Sequence, residues 1–283
     1  KLKVNTNYEE KLYDLAIYET EKLEEPLSFA WSVVSHLKSV KNTEELREVY
    51  DKCMPDIIKE GSYMAQSVPL FNALKKLKDS EDLNSVQKRI IDSSYKSMFL
   101  SGIDLDNEKR ERFNEIKIRL SELSTKFSNN ILDYIKNFEL VIDSSDKNME
   151  KIPKYALELY SQNAKKKYPD STPDNGPWVV TLDMPSYIPF MSHYPDVKLR
   201  EQLYKSSVSK ASKDDKNNLP LIKEILELKK EKANLLGFNN YVEYSLEMKM
   251  ANNQLEIENM LNNLFEKSKD RAKEEIDEIK KFK

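Results

Sequence analysis

The sequence predicts a mainly α-helical protein, and three observations favour this class. Apolar residues recur at spacings of three and four along most of the 283 residues, which is the period of an amphipathic helix. Only four glycines are present, whereas β-rich folds need many sharp turns. Charged residues make up 34% of the chain and hydrophobic residues 39%, a balance typical of helices with one solvated face. We therefore expect a multi-helix protein with a small β element.

The first helices are separated by residues that commonly start or cap helices. An apolar stripe over residues 12–16 is followed by a second stripe behind Pro26, and proline is well tolerated in a first helical turn. Thr43 is a candidate N-cap for a segment that continues to about Lys59. The apolar face of this segment is predicted to consist of Leu46, Val49, Tyr50 and Cys53.

Two further helices have clear boundaries. Asn84 or Ser85 starts a helix that Gly102 ends, because glycine readily adopts the left-handed conformation of a helix stop. A continuous apolar stripe then runs from about Asn107 to Asn137, long enough to act as a spine. A coiled coil would give a similar stripe, but the serines beside it are poor flanking residues for an isolated zipper. We therefore prefer packing inside a helical bundle.

Two short runs predict the β element. Residues 138–143 and 178–183 alternate and are rich in β-branched and aromatic residues, so both are expected to be strands and are candidates to pair. A helix over about 153–167 is predicted between them. The loop that follows, Tyr168 to Pro177, contains three prolines and Gly176, which makes it the best candidate for a mobile or variable surface segment.

Helices resume after the second strand. Asp196 is a candidate cap for one helix, and Gly237 is a candidate stop for the next. A last apolar pattern starts at Asn253 and still continues at Lys283, with no glycine to close it. We expect from this pattern that the chain is cut from a longer protein.

Charge and cysteine content limit the expected partners and compartment. Lys plus Arg total 46 and Asp plus Glu total 49, a net charge of −3 that gives no basic field for nucleic acid. No apolar run approaches the roughly 20 residues of a membrane helix. The single cysteine, Cys53, predicts an inert or half-buried thiol in a reducing compartment. We expect a soluble protein that binds neither nucleic acid nor membrane. Its expected location is cytoplasmic or, alternatively, an organelle lumen after removal of a targeting peptide.

Motifs for catalysis are few. His36 and His193 are the only histidines, and His-Glu-x-x-His, which places two zinc ligands and a general base on one helix, does not occur. With Cys53 these residues would have to converge from three separate elements to bind a metal. Four dispersed glycines exclude a nucleophile elbow and a phosphate-binding loop. Adjacent acids such as Glu9 and Glu10 are interpreted as solvated. We therefore predict no catalytic, cofactor-binding or metal-ligating residue in this chain.

One segment combines a rigid corner with aromatic residues. The predicted strand ends at Asp183, a proline follows, and Ser186 is a candidate cap for the next helix. Tyr187, His193 and Tyr194 lie within the next two turns. Such residues either fill a core, which we prefer from the residues alone, or line a peptide-binding surface.

The corner also carries a family resemblance. Thr181 to Pro189, Thr-Leu-Asp-Met-Pro-Ser-Tyr-Ile-Pro, resembles the strand-to-helix corner of the M3 family of zinc oligopeptidases, in its oligopeptidase A branch. Similar segments occur in the same order elsewhere, at residues 34–42, 45–47, 100–103, 119–123, 127–133, 199–201 and 211–212. The resemblance spans nearly the whole chain, so an unrelated bundle or coiled coil is disfavoured.

The resemblance implies a two-lobed enzyme that cuts short peptides in a deep channel, with zinc as cofactor of the full-length enzyme and none in this chain. Residues 1–283 would form the N-terminal helical lobe, with 138–183 as a small β and loop subregion. The zinc-binding C-terminal lobe would be absent, so the chain alone is expected to be inactive. Its expected partners are short peptides and that missing lobe, and the full-length enzyme is expected to be a monomer. Tyr187, His193 and Tyr194 are candidates to line the channel. The alternative is a noncatalytic helical scaffold or protein-interaction module derived from the same fold.

Overall fold

A computed structural model describes residues 10–282, apart from the side chain of residue 214. The described residues form two compact units, one of residues 10–120 and 227–282 and the other of residues 121–226. Glu9, which belongs to one of the acid pairs interpreted as solvated, lies outside the described residues. The mainly α class and the small β element are both confirmed.

The helices are numbered here in chain order, after a π-helical turn at Leu15–Glu19. Their bounds are α1 Thr20–Val40, α2 Glu44–Ala65, α3 Val68–Lys78, α4 Ser85–Leu100, α5 Asn107–Asn137, α6 Lys154–Ala164, α7 Met184–His193, α8 Val197–Val208, α9 Leu219–Leu235, α10 Tyr241–Leu246 and α11 Gln254–Lys281. The predicted spine over 107–137 is therefore confirmed at both ends. None of the helices within residues 10–282 is long and apolar enough to cross a membrane.

Local capping chemistry explains several boundaries in the first unit. The Asn84 side chain accepts hydrogen bonds from the Val86 and Gln87 amides, and the Asn84 amide donates to the Gln87 side-chain oxygen, which completes a capping box. At the other end of α4, Gly102 has φ +87° and the Ile103 amide reaches the Met98 carbonyl at 3.3 Å. These contacts confirm the predicted start and stop of this helix.

The core of the first unit packs residues 12–17 against α3 and α4. Its fully buried side chains include Tyr13, Leu74, Leu77 and Ile91, each 2% exposed or less. Burial of a Leu or Ile side chain stabilises a fold by about 1.5–3 kcal/mol. This cluster therefore holds α3 and α4 in place.

Two predictions for the first unit are wrong. Pro26 lies inside α1 rather than in its first turn, because the chain is already helical before it. Helix α2 continues past Lys59 to Ala65 through Pro55 and Gly61. Its predicted apolar face is only partly covered: Tyr50 stacks on Trp31 with ring centroids 4.8 Å apart, whereas Val49 and the Cys53 thiol are exposed.

The second unit is built around two short antiparallel strands. Strand β1, Leu140–Ile142, pairs with β2, Trp178–Val180, with Leu140 opposite Val180. The predicted pairing is thus confirmed over shorter strands. Helices α6, α7 and α8 complete the core, which consists of Leu140, Ile142, Met149, Ile152, Ala156, Tyr160, Trp178, Val180, Leu182, Phe190, Tyr194 and Leu203.

The proline-containing loop before β2 is tied to its surroundings. The Trp178 indole N–H donates to the Pro173 carbonyl at 3.1 Å, and the Ser171 hydroxyl donates to the Pro177 carbonyl at 2.8 Å. A Cβ at Gly176, where φ is +56°, would come within 2.7 Å of the Trp178 ring. Glycine is therefore required at this turn, and the loop is hydrogen-bonded along its length.

Candidate functional site

The corner between β2 and α7 is rigid because its polar groups are paired. The Thr181 amide donates to the Ser186 hydroxyl oxygen at 2.8 Å, and the Tyr160 hydroxyl donates to the Ser186 carbonyl at 2.8 Å. Asp183 occupies the N-cap position but its side chain makes no capping bond. The predicted role of Ser186 as the N-cap of α7 is therefore wrong. Ser186 lies in the first turn of α7, and its hydroxyl accepts a hydrogen bond from the Thr181 amide.

The three predicted channel-lining residues differ in exposure. Tyr194 is 1% exposed, stacks on Phe190 with centroids 4.2 Å apart, and donates its hydroxyl to the Asp146 carboxylate. Burial, reinforced by Asp146, raises the pKa of Tyr194 above the ordinary value of tyrosine. Tyr187 is half-buried against the same core, and His193 is exposed in the last turn of α7. Of these three residues, Tyr187 and His193 reach the surface, whereas Tyr194 packs in the core.

The residues of the described chain do not fit a zinc ion. Among residues 10–282, no group of three or more His, Cys, Asp and Glu side chains is arranged to hold a metal. His36 lies in α1 and Cys53 in α2, both exposed, and His193 lies in the other unit. No catalytic step through a metal is derived from these residues.

The structure shows a groove in the second unit that was not predicted from the sequence. Its volume is about 750 Å³, and its walls are α8, the C-terminal end of α5 with Phe138, and the segment 213–216. Its lining combines four lysines with two carboxylates, namely Lys198, Lys205, Lys213, Lys216, Glu201 and Asp215. Tyr134, Asn137 and Gln202 add aromatic and amide groups. The seven-residue spacing of Lys198 and Lys205, two helical turns, was the one sequence signal for this lysine-rich face.

Two half-buried lysines lie in the first unit. The Lys117 ammonium donates to the Ser62 hydroxyl at 2.6 Å, and the Lys232 ammonium lies over the rings of Phe113 and Tyr244 at 5.2 and 5.0 Å. Burial lowers the pKa of both lysines, and the positive charge of Lys232 lowers that of Lys117 further. Nothing in the sequence pattern distinguished these two residues from solvated lysines.

Two long helices of the first unit expose apolar faces. No residue of α1 or α11 is buried within the described part of the chain. In α1, Leu23 and Phe29 are 76% and 71% exposed. In α11 the residues more than half exposed are Leu255, Met260, Leu261, Leu264, Phe265, Ile276 and Ile279. Such contiguous apolar surface is typical of interaction sites.

Comparison with protein families matches both parts of the sequence. The family Neurolysin/Thimet oligopeptidase, N-terminal domain, matches residues 3–110, and Peptidase family M3 matches residues 190–283. The second match includes most of the groove-lining residues on α8 and the exposed helix α11.

Individual relatives extend the similarity over most of the chain. Organellar oligopeptidase A, chloroplastic/mitochondrial, of Arabidopsis thaliana is 41% identical over 93% of this chain and 33% of its own length. Probable cytosolic oligopeptidase A of the same plant is 41% identical over 93% of this chain and 38% of its own length. Oligopeptidase A of Haemophilus influenzae is 38% identical over 90% of this chain. The chain spans 33–38% of the length of these three relatives.

The two family models that match, an oligopeptidase N-terminal domain and Peptidase family M3, both describe peptidases. Within that class the chain belongs to peptidase family M3, and its relatives place it in the oligopeptidase A branch. The family inferred from the corner at residues 181–189 is thereby confirmed.

Proposed function

We propose that this chain is the N-terminal, channel-forming portion of a zinc metalloendopeptidase that hydrolyses short peptides. The observation that carries the proposal is the length relationship: 93% of the chain aligns with an oligopeptidase A of which it covers only 33%. In this proposal the remaining two thirds of such a protein supply the zinc ligands and the general base. The chain alone is then inactive.

Two observations support this division of roles between the chain and the remaining part of the protein. The described side chains do not fit a zinc ion, and α1 and α11 expose apolar faces. No described cluster of side chains can hold a metal. The apolar residues of α11 would lose contact with water if a second lobe packed on them, and burying them contributes about 25 cal/mol per Å². The role of this chain is then to form a packed wall that limits access to the channel.

Peptide contact in this proposal comes from the outer face of α7. Tyr187 is half-buried and offers a ring and a hydroxyl, and the exposed His193 offers an imidazole. Tyr194 acts as a positioning residue, because its hydroxyl is held by Asp146 and its ring by Phe190. The corner at Ser186 keeps α7 fixed while a peptide binds.

The proposed compartment is the cytoplasm, with an organelle lumen as the alternative. The names of the two Arabidopsis relatives include a cytosolic form and a chloroplastic or mitochondrial form. The proposed full-length protein is a monomer.

The proposal is tested by peptide cleavage with the complete gene product. A quenched fluorescent peptide of about eight residues is incubated with that protein, with the protein after chelator treatment, and with the 283-residue chain. We expect cleavage by the first alone, and recovery of the second when Zn²⁺ is added back. Cleavage by the 283-residue chain, or cleavage that resists the chelator, contradicts the proposal. Absence of cleavage by the complete protein favours a noncatalytic scaffold instead.

A further inference from the structure

The groove along α8 has the chemistry of a binding site for an acidic peptide segment. Four of its lining residues are lysines and two are carboxylates. Glu201 is already paired with Lys205 at 2.6 Å, and Lys216 is paired with Asp133 at 3.3 Å. Lys198 has no carboxylate within ion-pair distance among the described side chains. Counting Asp133, four lysines face three carboxylates among the described side chains, which leaves the groove with an excess of one positive charge.

The dimensions of the groove fit an extended peptide. Its lining on α8 runs from Lys198 to Ser209, which at 1.5 Å per residue is roughly 16 Å. An extended chain advances about 3.3 Å per residue, so this length accommodates about five residues. The volume of about 750 Å³ is also that of a typical small-ligand cleft.

The remaining lining groups favour a peptide over a compact phosphate. The Asn137 and Gln202 amides can each donate to and accept from a peptide backbone. Tyr134 and Phe138 provide ring surface for an apolar side chain. Asp215 and Glu201 would repel a dense, multiply charged phosphate, whereas carboxylates spaced along an extended chain can avoid them.

We propose that the groove formed by Lys198, Lys205, Lys213 and Lys216 with Tyr134 and Gln202 binds an acidic stretch of about five residues in a peptide substrate. This deepens the proposed peptidase function and rests on it for the identity of the peptide as substrate. The groove lies within residues 121–226 and uses no residue of α7, so it adds a contact separate from Tyr187 and His193.

Binding is measured first, by fluorescence anisotropy with the 283-residue chain. The probes are a labelled hexapeptide with three glutamates at alternate positions and the same peptide with glutamines. We expect the glutamate peptide to bind at least about fivefold more tightly at low salt, and the difference to shrink as salt rises, because exposed charges are screened.

The matched variants are Lys198→Glu and Lys154→Glu. Both reverse one exposed lysine of the second unit, but Lys154 lies at the start of α6 and does not line the groove. We expect Lys198→Glu to weaken binding of the glutamate peptide about fivefold or more and Lys154→Glu to change it less than twofold. Circular dichroism of both variants checks the fold, and Lys198→Gln provides a milder change if Lys198→Glu unfolds.

Several outcomes would overturn the inference. Equal binding of the two peptides, or equal weakening by the two variants, contradicts it. Binding of inorganic triphosphate at these lysines without binding of the glutamate peptide would assign the groove to phosphate instead. Failure of the proposed function is seen separately, because cleavage of a neutral peptide by the complete protein does not depend on Lys198.

Discussion

Helices α7 and α11 both carry apolar residues at helical spacing, yet only α7 buries some of its apolar residues. Phe190 of α7 is 0% exposed and packs in the core around the strand pair, whereas Leu264 and Phe265 of α11 are 58% and 61% exposed. Even in α7 the apolar residues Met184 and Ile188, four positions apart, stay exposed. Apolar spacing therefore does not determine which residues are covered, because burial depends on tertiary contacts. We propose that a second lobe covers the apolar face of α11, whereas Phe190 of α7 already packs in the core.

The largest expected effect is the loss of the α7 core contact. Phe190→Ala removes a fully buried ring stacked on Tyr194, which typically costs about 3–5 kcal/mol of unfolding free energy. Ile188→Ala, two residues away on the exposed face, should cost less than about 0.5 kcal/mol. Urea unfolding of the two variants measures the difference. Similar losses for both would show that α7 is not packed as described.

The outer face of α7 is tested by catalysis in the complete protein. Tyr187→Ala and His193→Ala each remove a group that we propose contacts peptide, and we expect kcat/KM to fall about threefold to tenfold. The expected loss is larger for Tyr187, which offers both a ring and a hydroxyl. Met184→Ala, also exposed on α7, serves as the control. Unchanged KM and kcat in both variants would contradict a channel-lining role for this helix.

A smaller effect is expected from the half-buried Lys232. Its pKa is lowered in the fold by burial and then by Lys229, so the protonated amine destabilises the folded chain at neutral pH. This penalty is present below the folded pKa and disappears as pH rises towards the ordinary lysine pKa of about 10.4. Between pH 7 and 10 the wild-type chain should therefore gain about 1 kcal/mol or less relative to Lys232→Met.

Thermal or urea unfolding at several pH values measures this gain. Lys230→Met, which removes an exposed lysine of the same helix, is the matched control. A constant difference between wild type and Lys232→Met across this pH range would show that Lys232 is not buried as described.

The smallest effect on stability is expected on α11. Changing Leu261 and Leu264 to Ser should alter the unfolding free energy by less than about 0.5 kcal/mol each, because neither side chain is buried. The same change should reduce binding of an apolar dye and self-association of the chain. An uncovered apolar face would be contradicted if light scattering showed a strictly monomeric wild-type chain and that chain also bound no apolar dye.

Features that depend on nearby residues were predictable from the sequence. The capping box at Asn84, the stop at Gly102 and the cap at Asp196 each follow from contacts within a few positions. The spine over 107–137 was predictable because a single stripe persists over many turns. The two strands were predictable from their β-branched composition, although each is only three residues long.

Features that depend on distant residues were not predictable. Pro26 was predicted in a first helical turn but lies inside α1, because its position depends on the helical residues before it. The groove brings α8 together with residues 134–138 and 213–216, and no local pattern indicates this convergence. Likewise, Cys53 and Val49 were predicted on the same helical face as Tyr50, but only Tyr50 is buried, where it stacks on Trp31.

The most direct test of the central claim is to sequence the gene beyond the codon for Lys283. We expect the reading frame to continue through several hundred codons and to encode His-Glu-x-x-His, the motif that places two zinc ligands and a general base on one helix. A stop codon immediately after Lys283 would contradict the account and assign the exposed faces of α1 and α11 to a separate binding partner.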